Sequence, residues 1–152
     1  MIQDWVHDCK EHHPQCRSDD SHQKREGSSP WRPTRLLKIE VDSAGDATSV
    51  RLVETTEDDT DKYIALSHMW GDKTVAPPLR TVKANYNDML NEIDMRDLPW
   101  NFVDAVRACC RLGIHHVWID SLCIIQDDPD DWKHEAGLMH RVYKEADLTV
   151  VA

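Results

Sequence analysis

Glu135 is a carboxylate at a place where the surrounding pattern asks for an apolar side chain. Turned at about 100° per residue, the segment from Trp132 to Ala146 gathers Val142, Ala146, Met139, Trp132, Tyr143 and Ala136 on one arc, and Glu135 falls inside it. A charge on the buried side of a helix must be paired, protonated or held in a cleft. A nearby Arg at the helix rim would make it structural; a cleft would make it chemical. A second group of polar and aromatic residues stands at the ends of two strand-like runs, with Ser67, His68, Trp70, Gly71 and Asp72 after one and Asp120, Ser121 and Cys123 after the other. In open α/β sheets ligands bind beyond the carboxyl ends of the strands, so the two groups could line one crevice. Asp72 and Asp120 would equally suit turns and caps, and Trp70 and Trp118 would equally suit packing.

Three further patterns compete. Cys9, His13 and Cys16 put three soft ligands within two helical turns, and zinc would need a fourth from elsewhere; the same Cys residues would also serve as small hydrophobes on a helix face. Cys123 could act as a nucleophile with His68, His115 or His116, but it lies in an apolar Leu-Cys-Ile-Ile run, where burial makes a thiol inert. Asp127, Asp128, Asp130 and Asp131 lack the periodicity and Gly of a calcium loop, and they read as a turn followed by a helix cap at Asp130 or Asp131.

The elements that must position these residues follow from patterning. Residues 2 to 16 carry Ile2, Trp5, Cys9, His13 and Cys16 at helical spacing, forming a leader over 1–16. Residues 17–33 are polar and punctuated by Gly27, Pro30 and Pro33, which predicts a mobile linker. Residues 36–41 and 48–54 form a hairpin around Asp42 to Ala47. Val82, Tyr86, Met89 and Ile93 predict one helix, and Phe102 to Leu112 a second, closed by Gly113. Tyr63 to Ser67, Val117 to Ile119 and Leu148 to Ala152 are strands. Alternation of helix and strand in the second half predicts an α/β fold, a mostly parallel sheet flanked by helices, with the hairpin as an N-terminal appendage. The domain would span 34–152, with its core in 63–152.

Bulk composition narrows the partners. With 28 acidic against 18 basic residues and a net charge of −10, the chain repels phosphate backbones and anionic lipid, which argues against nucleic acid and membrane. No secretory pattern opens the sequence, and five cysteines with Cys109 and Cys110 adjacent suit reduced thiols and a cytoplasmic location.

The runs Tyr63 to Asp72, Leu98-Pro99 with Phe102 to Val106, Trp118 to Asp128, and Trp132 to Glu135 with Met139, Tyr143 and Ala146 resemble, in order and spacing, the fungal heterokaryon-incompatibility (HET) domain. The segment with Cys9 and His13 and the hairpin look like the leader that often precedes it. The resemblance implies a role in non-self recognition and cell-death signalling, self-association on activation by an unknown protein partner, and a distantly TIR-like, flavodoxin-like fold. It also implies a chemistry. In TIR enzymes a strand-end Ser and a Trp-x-x-Glu help to cleave the nicotinamide bond of NAD. Ser67 and Trp132-Lys133-His134-Glu135 match these, which would make Glu135 catalytic, NAD a substrate, and no cofactor necessary. Trp70 or Trp132 would stack on a flat ring, and Ser67 or Asp120 would hydrogen-bond ribose hydroxyls. The alternative is a non-catalytic self-associating module of the same fold. His68 stands where the family more often has an aromatic residue. The absence of a G-x-G-x-x-G fingerprint means that NAD would be held otherwise than in a Rossmann fold. The chain stops just after a strand where most family members continue, so either a piece of a longer protein or a shortened form is expected.

Overall fold

Leu36, Leu37 and Ile39 are all buried, although neighbouring residues of a strand point to opposite faces. A strand covered on both sides belongs in the interior of a sheet. In the computed structural model, which describes residues 2–13, 31–59, 61–70 and 79–152, this strand, β1 (Arg35–Val41), indeed lies between β2 (Ala47–Glu54) and β5 (His116–Ile119). The other elements are β3 (Ile64–Ser67), β4 (Ile93–Asp94), β6 (Leu148–Val151), α1 (Ile2–His12), α2 (Tyr86–Asn91), α3 (Trp100–Leu112), the single turn α4 (Asp120–Cys123) and α5 (Pro129–Glu145). The six strands run in the order β4-β2-β1-β5-β3-β6.

The fold is α/β, but the sheet is mostly antiparallel rather than mostly parallel. β1 pairs antiparallel with both β2 and β5, and β2 pairs antiparallel with β4; only β3 with β5 and β3 with β6 are parallel. The hairpin is therefore not an appendage. Its apolar β1 docks on β5, Leu37 opposite Val117, and completes the core. The predicted linker also ends earlier than Pro33. Trp31 lies under the Arg141 guanidinium at 4.6 Å, and the buried Pro33 carbonyl accepts a 2.5 Å hydrogen bond from Thr55 Oγ1. The remainder of that segment, 17–30, and Cys16 lie outside the described residues.

Both faces of β5 are covered, since Val117, Trp118 and Ile119 are all fully buried. Tyr143 of α5 meets Trp118 edge to face at 5.6 Å, and the Tyr63 hydroxyl donates to the Val142 carbonyl at 2.6 Å. α3 packs on β5 and β2 through Phe102, Val106 and Cys109, and Gly113, at φ 68°, ends it. Two local expectations change. Ile93 is not the last turn of a helix: Glu92 is extended, and Ile93 pairs with Val50 as an edge strand. α5 is capped by Asp128, which accepts from the Asp130 and Asp131 amides, with Pro129 in the first turn; Asp131 is thereby free for another task. Among the described residues no helix is long and apolar enough to cross a membrane.

Candidate functional site

The one-turn helix α4 follows β5 directly, and its four carbonyls have no helical partners beyond the first. Each finds a specific donor. The Asp120 carbonyl accepts from the Ile124 amide at 3.2 Å and from Gln126 Nε2 at 3.1 Å. Thr81 serves the next two, its amide reaching the Ser121 carbonyl at 2.9 Å and its hydroxyl the Leu122 carbonyl at 2.6 Å. Arg35 Nε donates to the Cys123 carbonyl at 2.7 Å. This fixed turn carries Asp120 beyond the carboxyl end of β5, beside the carboxyl end of β3.

There the carboxylate gathers residues from both strands. Trp70 Nε1 donates to Asp120 Oδ2 at 3.0 Å, the Ser121 amide donates to Oδ1 at 2.7 Å, and His68 Nδ1 stands 3.5 Å from Oδ1. The His68 ring packs edge to face on Phe102 at 4.8 Å, and its side chain is only 4% exposed while that of Asp120 is 21% exposed. Burial raises the Tyr143 pKa, the Asp120 charge adds to it, and the Ser67 hydroxyl opposes it. Among the described residues, buried His68 Nδ1 and the Ser121 hydroxyl make no hydrogen bond.

Glu135 belongs to a different arrangement. It is 1% exposed, and its Oε1 lies 3.6 Å from Arg35 Nη2 with no hydrogen bond among the described residues. That same nitrogen donates to Asp131 Oδ1 at 2.6 Å and to Oδ2 at 2.7 Å, and Oδ2 also accepts from the Ile125 amide at 2.8 Å. Burial works against the Arg35 charge, but the Asp131 hydrogen bonds and the charges of Asp131 and Glu135 outweigh it and raise its pKa. One guanidinium thus faces two carboxylates inside the core, and it is the same guanidinium that holds the end of α4.

Of the residues singled out from sequence, the structure brings together Ser67, His68, Trp70, Asp120 and Ser121, and it sets Glu135 behind them with Arg35. Cys123 is fully buried, and burial pushes its thiol up to about 12, so the Cys–His reading loses its nucleophile. Trp132 is 53% exposed, off the buried stripe of α5, because that stripe is centred on Asp131, Glu135 and Val142. Gly71 and Asp72 lie outside the described residues. So does Cys16, which leaves Cys9 and His13 as the described members of that group.

Arg35, Thr81, Gln126 and Tyr143 were not singled out as functional. Arg35 did leave a signal. Strand alternation puts it on the face of Leu37 and Ile39, so it is a cation in an apolar row just as Glu135 is an anion in an apolar arc, and two such misfits of opposite sign are each other's natural partners.

Residues 63–152 match the heterokaryon incompatibility protein (HET) family. The chain is 30% identical over 99 residues to heterokaryon incompatibility protein 6, OR allele, of Neurospora crassa, an alignment covering 59% of this chain and 14% of that relative. The chain therefore corresponds to a small part of the length of the relative it matches. No solved structure matches it. The matched segment runs from β3 through α5 to β6 and contains Ser67, His68, Trp70, Asp120 and Glu135, so the strand-end cluster and the buried carboxylate both sit inside a domain of known lineage: the chain belongs to the heterokaryon incompatibility (HET) family.

Proposed function

We propose that this chain acts in fungal heterokaryon incompatibility, as a signalling domain of a longer protein that links non-self recognition to cell death, and that it signals by hydrolysing NAD to nicotinamide and ADP-ribose. The family match supports the role. The observation that carries the chemistry is the carboxylate of Asp120 at the carboxyl ends of two parallel strands, hydrogen-bonded to Trp70 and beside a buried His68, where α/β sheets bind ligands. Loss of nicotinamide develops oxocarbenium-like charge on the ribose, and a fixed carboxylate in a site of low dielectric stabilises that charge. The test is nicotinamide release from NAD by concentrated, folded protein; release above the uncatalysed rate is the expected result, and none at all ends the catalytic reading.

A second reading, a self-associating module without catalysis, is favoured by β6. It is an edge strand whose Val151 is 80% exposed, and among the described residues its outer side pairs with no strand. Such an edge is a template for another chain. Under this reading Val151→Lys abolishes assembly seen by sedimentation, and the folded monomer keeps its melting temperature.

A further inference from the structure

We propose that Asp120 is the catalytic carboxylate, that its site takes a planar cationic nitrogen heterocycle joined to ribose, and that Glu135 is a positioning residue acting through Arg35. Both the reaction and the ligand class rest on the NAD reading above; the choice of Asp120 over Glu135 rests on the geometry.

Three buried or half-buried carboxylates lie on this side of the sheet, and they differ in how their charge is met. Asp131 and Glu135 share Arg35. Among the described residues no Lys or Arg pairs with Asp120, whose partners are an indole N–H, a backbone amide and, at 3.5 Å, an imidazole. A carboxylate with no ammonium or guanidinium partner among the described residues, partly open to solvent and beside a Trp, suits a cation that can also lie against an aromatic ring. Glu135 lacks these qualities. It is sealed from solvent and faces Arg35, so a substrate could reach it only if the core opened. Its influence passes along a short path instead, from Glu135 to Arg35, from Arg35 Nε to the Cys123 carbonyl, and through the rigid turn to Asp120.

In the reaction the bond between ribose C1′ and the pyridinium nitrogen breaks, and its electron pair leaves with nicotinamide, which becomes neutral. Positive charge passes to the ribose opposite the Asp120 carboxylate. Water adds to C1′ and releases a proton to solvent, giving ADP-ribose.

The experiment compares wild type with Asp120→Asn, Trp70→Leu, Glu135→Gln and Glu135→Leu, each checked for folding. It measures nicotinamide release from NAD and binding of 1-methylnicotinamide, a cationic pyridinium without the glycosidic bond. Asp120→Asn is expected to lower release by at least about 100-fold and to abolish 1-methylnicotinamide binding, with Trp70→Leu weakening binding as an independent check should Asp120→Asn unfold. Glu135→Leu is expected to lower release, and Glu135→Gln, which keeps a carbonyl oxygen facing Arg35, to restore it to within about tenfold of wild type, a loss of about 1.4 kcal/mol. A catalytic carboxylate would not be rescued by an amide. Loss of release in folded Glu135→Gln equal to or greater than that in Asp120→Asn overturns the assignment. No release from wild type, with Asp120-dependent binding of 1-methylnicotinamide, ends the NAD reading and keeps the site; neither release nor binding ends both.

Discussion

Arg35 and Glu135 were each out of pattern in the sequence, and in the structure they face one another across 100 positions of chain. The helical period made Glu135 legible, but the period of two that makes Arg35 equally anomalous was missed, because Arg35 precedes the first apolar residue of its run and so read as a flank. The pairing itself was not legible, since nothing local says which strand will pass a given helix. Its energetic meaning is asymmetric. A buried ion pair adds little over a well-packed apolar pair, whereas removing one partner strands the other. Arg35→Met is therefore expected to cost about 3–5 kcal/mol in urea unfolding, because both Asp131 and Glu135 lose their countercharge; a cost near zero would show the carboxylates to be accommodated without it. His116 gives a second test. Burial holds its pKa below the usual histidine value, against the opposing charge of Asp61. A depressed histidine pKa means that the unfolded chain takes up the proton first, so this contribution is intact above about pH 6.5 and is lost as pH falls through the folded value. His116→Gln is expected to flatten the decline in stability below pH 6.5. The thiols supply a third. Burial pushes both Cys109 and Cys123 up to about 12, so iodoacetamide at pH 8 is expected to spare them until denaturant is added, as peptide mapping would show.

Among the elements, the most legible were those fixed by local chemistry. The spacing from Phe102 to Leu112 together with Gly113 defined α3 because a left-handed residue must end it, and Gly113 adopts φ 68°. There is space around that position for a methyl group, so the strain of Gly113→Ala is conformational alone, and the expected cost is about 1–2 kcal/mol; Gly113→Asn should lose less. Elements decided by tertiary pairing were less legible. Ile93 fits a helical repeat, yet Val50 of β2 captures it as a strand. The acidic turn pointed to Asp130 or Asp131 as the cap, whereas Asp128 fills that place and Asp131 is taken by Arg35. The strand-end residues could be placed at β-strand termini from sequence, but the convergence of Asp120, His68 and Trp70 depends on β3 and β5 being neighbours, which their patterns do not state.

For the molecule as a whole, the division of the sheet matters more than its class. Helix–strand alternation predicted the parallel portion, β5-β3-β6, and it was correct there. The hairpin was misjudged because its turn chemistry, with Asp42 accepting from the Ala44 and Asp46 amides, marks a hairpin but says nothing about where the hairpin docks. Since β1 lies beside β5 and Arg35 supplies the only described cation for Asp131 and Glu135, the segment 63–152 that matches the family lacks part of its own core. Expressed alone, residues 63–152 are expected to be insoluble or molten, with no sharp thermal transition in circular dichroism, while 31–152 melts cooperatively.

The central position of β1 also sets an order in time. The hairpin leaves the ribosome long before β5, and at about 5–20 residues per second it waits roughly 4–15 s for the strand that covers its edge. Throughout that interval β1 has only its β2 partners, Leu52 opposite Leu37 and Val50 opposite Ile39, while its other edge and the side chains buried in the finished protein lack the cover of β5. Nascent chains of this domain should therefore be heavy clients of chaperones, released only when His116–Ile119 has emerged.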